Sequence, residues 1–230
     1  MRLGLITYDA RHLKTEQVAL GLALKGTAEL SFHALPFTPR PARNILFAHR
    51  PDMEEGAHSR DVAAALGAPW TACASPDDIP ADAADLFLIL GAGLLPAGFV
   101  AATRGRVLNS HPGLIPLVRG LDAFKWAILD GMPIANTLHW IDEEADAGEV
   151  LAIRRTPVFL TDTLQQFARR HYESEIAMMV DFEALLAAPR PVLGDEVRPA
   201  RMRMPAEKQA ELETAFEAYK ARFAWGGAPS

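Results

Sequence analysis

Residues 86–93 read LFLILGAG, an apolar run with no polar side chain. Such a run between loops fits a central strand covered on both faces. Covering both faces takes helices, so the flanking sequence should alternate strand and helix. Towards the N-terminus, residues 3–7 form a short apolar run, and residues 15–25 repeat Val18, Leu22 and Ala23 at helical spacing. Residues 30–35 predict a second strand, 44–48 a third, 59–66 a helix stopped by GAP, and 70–73 a short strand. Towards the C-terminus, 99–103 predicts a helix fragment, 107–109 the start of a strand, and 121–130 a helix ended by Gly131. Residues 135–141 predict a strand, 150–153 and 157–159 one or two more, and 161–186 one long helix capped by Thr161. Residues 187–205, rich in Pro and Arg, predict a surface tail, and 205–223 a final amphipathic helix that could pack on its own domain or on a partner. The fold class expected is α/β, a mostly parallel sheet with helices on both faces.

Composition narrows the function. The chain has 230 residues, half of them hydrophobic, enough for a substantial core. A net charge of −6 argues against a nucleic-acid surface. Cys73 is the only cysteine, which excludes a disulfide framework and a thiolate metal cluster. The opening MRLGLITYDA is too short and polar for a signal peptide, and no apolar run reaches membrane-spanning length. A soluble cytoplasmic protein is expected.

The chemistry concentrates in LNSHPGLIPLVRG, residues 108–120. Asn109 and His111 are two apart on a strand, so their side chains share a side. Pro112 and Gly113 then end the strand and leave the pair at the carboxyl edge of the sheet, where such folds bind ligands. An isolated Asn-x-His more often just closes a turn. Here a second polar cluster follows in HWIDEEADAGEVL, residues 139–151, with five acids. Asp142, Glu143, Glu144 and Glu149 read as a solvated loop, whereas Asp146 is flanked by Ala145 and Ala147. An amide, an imidazole and a carboxylate on one edge can hold a carbonyl oxygen, donate a proton and tune the donor. His139 reads equally well as a satisfied histidine on the sheet face. A metal site lacks tight ligand spacing, GAGLLPAG is not a dinucleotide fingerprint, and neither a nucleophile elbow nor a Walker loop is present.

Taken together, DLFLILGAGLLP, NSHPGLIPLVRG and KWAILDGMPIANTLHWIDEEADAGEVL resemble the folate-dependent formyltransferases. That family includes the glycinamide ribonucleotide, methionyl-tRNA and sugar N-formyltransferases. Its pattern of N-x-H-P-S-L-L-P, a T-x-H strand and a D-x-G loop is matched in order over residues 85–157. The resemblance implies a Rossmann-like formyltransferase fold, with residues 1–188 as catalytic domain and 189–230 as an extension. It implies 10-formyltetrahydrofolate as formyl donor, no metal, and an amine of a small molecule as acceptor. Asn109, His111 and Asp146 fall on the family's catalytic positions. The pterin would meet Gly93, Leu94, Leu95 and Pro96 on one side and Ile141, Asp142, Glu143, Glu144 and Ala145 on the other. Gly113 stands where many relatives have Ser; some sugar-modifying relatives also have Gly there, which favours a nucleotide-linked amino sugar as acceptor. The purine-pathway Gly-rich loop is replaced by TYDARHLK, where Arg11, His12 and Lys14 could still meet an anion. Arg119 would position the loop or a substrate carboxylate. No tRNA-binding barrel is expected, nor any nucleic-acid or membrane partner; a homodimer would fit the final helix. Two rivals share the motif: a formyltetrahydrofolate hydrolase, in which water replaces the amine, and a non-catalytic folate-binding protein.

Overall fold

The structure, a computed structural model, describes residues 1–39, 43–142 and 148–225. Seven strands form one sheet in the order β3-β2-β1-β4-β5-β6-β7. The strands are β1 (Arg2–Tyr8), β2 (Glu29–Leu35), β3 (Trp70–Ala72), β4 (Leu86–Ile89), β5 (Val107–His111), β6 (Ala135–Trp140) and β7 (Val150–Arg155). The first five run parallel, β6 is antiparallel to β5, and β7 is antiparallel to β6. The helices are α1 (Leu13–Lys25), α2 (Ser59–Ala65), α3 (Ala97–Ala102), α4 (Ala123–Leu129), α5 (Leu164–Val180), α6 (Phe182–Ala187), α7 (Ala206–Gln209) and α8 (Leu212–Phe223). The α/β class with a mostly parallel sheet is as expected. No helix among the described residues is long and apolar enough to cross a membrane.

Alternation along the central strands sorts the core. Leu5, Leu88 and Leu108 face one way, onto Val18 and Leu22 of α1 and Met178 and Met179 of α5. Ile6, Phe87 and Val107 face the other way, onto Phe99 of α3. A third cluster joins Phe124 of α4, Phe167 of α5, and Leu212, Phe216 and Tyr219 of α8. The terminal helix therefore packs its apolar stripe on its own domain.

Four local expectations change. Residues 44–48 form no strand: the amides of Leu46 and Phe47 donate to Gln209 Oε1 instead of to a sheet neighbour. Residues 157–159 also lie outside the sheet, where the Phe159 amide donates to Asp162. The long helix starts later, because Thr163 rather than Thr161 forms the capping box with Gln166. It is also divided in two at Asp181, whose carboxylate accepts from Lys25 at 2.7 Å and Arg154 at 3.2 Å.

The strand order reverses between β1 and β4, the position where open α/β sheets bind ligands. There Gly91 lies so close to Tyr8 and His12 that a Cβ would come within 2.6 and 2.9 Å of their rings. The end of β4 thus abuts the start of α1 directly. β5 is the next strand along, and its carboxyl end carries the motif.

Candidate functional site

Asn109 and His111 share the face of β5 opposite Ser110, whose hydroxyl points back to Met178 of α5. The antiparallel register of β6 sets His139 across from Asn109 and Thr137 across from His111. Asn109 Nδ2 lies 3.3 Å from His139 Nε2, and His139 Nδ1 lies 2.9 Å from the Trp140 carbonyl. A carbonyl only accepts, so Nδ1 carries the proton. An amide nitrogen only donates, so Nε2 accepts from Asn109.

His111 is 4% exposed, and its Nε2 donates to the carbonyl of Val118 at 2.9 Å. This bond closes the 112–118 loop over the ring. Two other groups hold the same loop through three bonds. Thr137 Oγ1 donates to Gly113 O at 2.6 Å and accepts from the Ile115 amide at 3.2 Å. His171 Nε2 on α5 donates to Pro112 O at 3.3 Å, while its Nδ1 accepts from Thr156 at 2.7 Å. Gly113 is required by closeness: a Cβ there would lie 2.4 Å from Val118 O and 2.5 Å from His111 Nε2.

Behind the loop sits a buried ionic cluster. Glu175, one turn beyond His171 on α5, is paired with Lys14 at 2.7 Å and with Arg50. Burial pushes the Glu175 carboxyl up, but Arg50 and Lys14 outweigh it and leave it at about 2. Burial pushes the His12 and His171 imidazoles down to about 4, and holds His49 well below the usual histidine range. His49 stacks on Phe124 at 5.9 Å.

Of the residues singled out from sequence, Asn109 and His111 come together as expected. Asp146 lies outside the described residues, with Glu143, Glu144 and Ala145. The base of their loop is tight, since a Cβ on Gly148 would meet Trp140 O at 1.8 Å. Leu95 and Ile141 both pack against the cluster of Phe87, Phe99 and Val107. Gly93 and Leu94 stand exposed beside them, Pro96 caps α3, and Asp142 is half-buried. The three residues of the TYDARHLK loop have other partners. Lys14 is buried against Glu175, Arg11 Nε donates to the carbonyls of Glu54 and Gly56, and His12 Nδ1 meets Thr15 Oγ1 at 2.7 Å. Arg119 lies on the motif loop, where its carbonyl accepts from the Arg201 amide at 3.0 Å. A trough of about 710 Å³ lies elsewhere, between residues 114–117, β7 and residues 192–196, and is lined by neither Asn109, His111 nor His139.

Sequence reasoning missed Thr137, Arg50, His171 and Glu175 as supports, and left His139 open. His171 and Glu175 are four apart on the buried stripe of α5, which is a readable signal. Arg50 reaches Glu175 from a loop and left none.

Residues 75–182 match the sequence pattern of the formyl transferase family. The match covers just under half of the chain. It runs from before β4 to the start of α6 and includes every group described around Asn109 and His111 except those from the N-terminal third. Over 95 residues the chain is 32% identical to phosphoribosylglycinamide formyltransferase of Haemophilus influenzae, covering 40% of this chain and 45% of that protein. The chain thus matches less than half the length of that relative. A sugar N-formyltransferase from Shewanella has the same fold, with a TM-score of 0.59 at 18% identity over 86% of this chain and 75% of that one. A formyltransferase from Anoxybacillus kamchatkensis, solved with UDP-4,6-dideoxy-4-formamido-L-AltNAc and tetrahydrofolate, gives a TM-score of 0.51 at 16% identity, covering 85% of this chain and 84% of that one.

Two predictions follow from this geometry. Gly113→Ser forces its side chain into the His111–Val118 bond and should destabilise the domain by about 2 kcal/mol in urea unfolding. The buried histidines and Glu175 all have lowered folded-state values, so each adds stability that is lost as pH falls. Tm should decline from about pH 6.5 towards 4 as the unfolded chain protonates His12 and His171, at up to about 1.4 kcal/mol per pH unit for each. It should fall further below pH 4.5 as Glu175 loses its advantage. A Tm flat between pH 7 and 4 would contradict this.

Proposed function

We propose that the chain is a folate-dependent N-formyltransferase that moves a formyl group from 10-formyltetrahydrofolate to the amine of a small molecule. The observation that carries the reading is the pairing of Asn109 and His111 on one face at the end of β5, inside the segment that matches the formyl transferase family. The acceptor nitrogen attacks the formyl carbon, a carbon–nitrogen bond forms, and the carbonyl electron pair moves onto oxygen. Asn109 and a protonated His111 donate hydrogen bonds to that oxyanion, and removing one such donor costs about 3 kcal/mol. Asp146 balances the imidazolium charge and takes part in moving the amine proton. Collapse breaks the bond to N10 of the donor, and tetrahydrofolate leaves with the proton.

The pterin end of the donor lies between residues 92–96 and 141–145. Gly93, Leu94, Leu95 and Pro96 form one wall and Ile141 to Ala145 the other, and the apolar packing of Leu95 and Ile141 supports this. The tetrahydrofolate in the Anoxybacillus relative supports the choice of donor. No metal is called for. The acceptor we propose is a nucleotide-linked amino sugar, supported by Gly113 and by the sugar N-formyltransferases that share the fold. Arg119 positions the motif loop or a substrate carboxylate, and Arg11, His12 and Lys14 are the residues of the first loop proposed to face an anionic part of the substrate. The enzyme works as a soluble cytoplasmic protein on a small molecule, with no nucleic acid or membrane partner.

The test is to incubate the protein with 10-formyltetrahydrofolate, with and without a pool of amines that includes nucleotide-linked amino sugars. Donor should disappear only when amines are present, and mass spectrometry should find one N-formyl product. Donor loss without amines would make the protein a hydrolase. No loss in either mixture would contradict the proposal.

A further inference from the structure

The segment after α6 reaches back to the motif loop. Residues 198–204 run alongside residues 116–122 and are joined to them by main-chain bonds: Arg198 N to Pro116 O at 3.1 Å, Arg201 N to Arg119 O at 3.0 Å, and Leu121 N to Arg201 O at 2.8 Å. Gly120 makes this approach feasible. Its φ is +88°, and a Cβ would lie 2.3 and 2.5 Å from the Arg201 carbonyl oxygen and amide nitrogen. Side chains fasten the strap from Arg201 onward. The Arg201 guanidinium pairs with Asp130 at 2.8 Å and stacks on Trp126 at 4.3 Å. Trp126 Nε1 donates to Met202 O, and the Met204 amide donates to Asp122. Gln209, buried at the start of the terminal helices, donates to Met204 O and accepts from Lys125.

Between the strapped residues Pro116 and Arg119 lies Val118, whose carbonyl accepts the hydrogen bond from His111 Nε2. We infer that the C-terminal strap, residues 198–204, positions His111: it fixes the 116–121 backbone and so the place of the carbonyl that orients the imidazole. Arg201 and Gly120 are positioning residues, because neither touches His111 and both act through Val118. The inference deepens the proposed formyl transfer and rests on that reading for its effect on rate. A misplacement of about 1 Å in a reacting group can cost about a hundredfold in rate.

The test uses the full chain and two variants. Arg201→Ala removes an exposed side chain and both of its anchors, so the fold should survive. Gly120→Ala removes the close approach itself. In both, faster exchange of the Leu121 and Arg201 amides should report that the strap has lifted. The His111 imidazole should then change its ¹⁵N signature, since the Nε2 proton loses its fixed acceptor. kcat should fall about tenfold or more, while KM for the formyl donor changes little. A lifted strap with an unchanged His111 signature and unchanged kcat would overturn the inference. The imidazole signal does not depend on turnover, so the strap is tested even if the wild-type chain transfers no formyl group, a result that would count against the proposed function alone.

Discussion

The antiparallel register between β5 and β6 sets the site. It places His139 opposite Asn109 and Thr137 opposite His111. A slip of one residue in β6 would turn His139 and Thr137 to the α5 side and set Leu138 and Trp140 beside the Asn109–His111 pair. With the register as it is, the Asn109 amide is held by His139, and the Thr137 hydroxyl reaches the two backbone groups that begin the motif loop. The loop can then fold back until the Val118 carbonyl meets His111. Gly113 leaves the gap that this return needs.

Fixing polar groups so closely has a cost that the surrounding structure meets with further polar groups. Lys14, Arg50 and Glu175 are taken out of water together, and breaking such a cluster by removing one member leaves an uncompensated charge. His171 stands between this cluster and the motif, neutral, with Thr156 on one nitrogen and the Pro112 carbonyl on the other. A neutral ring in that place passes no charge towards His111 but still holds the turn. The cluster also ties together three parts of the chain distant in sequence: α1, the loop that carries Arg50, and α5.

The central strand, the alternation of strand and helix, and the end of β5 could all be read from residues 86–111, because a strand covered on both faces leaves a continuous apolar run. The Asn109–His111 pair was readable for the same reason, since period two on a strand is a local property. The strand expected at residues 44–48 was not formed: the amides of Leu46 and Phe47 go to Gln209, more than 160 residues away, and only Phe47 packs on the terminal-helix cluster while Ile45 and Leu46 stay exposed. The strap had no local signature either. Its bonds to residues 116–121 are main chain to main chain, and the side-chain anchors at Arg201 and Met204 join residues far apart in sequence. Resemblance to the formyltransferases carried the reading of Asp146 and the 143–145 segment, which lie outside the described residues.

The direct test of this account is single-turnover formyl transfer by Asn109→Ala and His111→Ala, compared with the unaltered chain at saturating donor. Each substitution removes one hydrogen-bond donor from the oxyanion and should lower the rate of the chemical step by about a hundredfold, with donor affinity nearly unchanged. A rate within a few-fold of the unaltered chain for either variant would show that the end of β5 is not where the formyl group reacts.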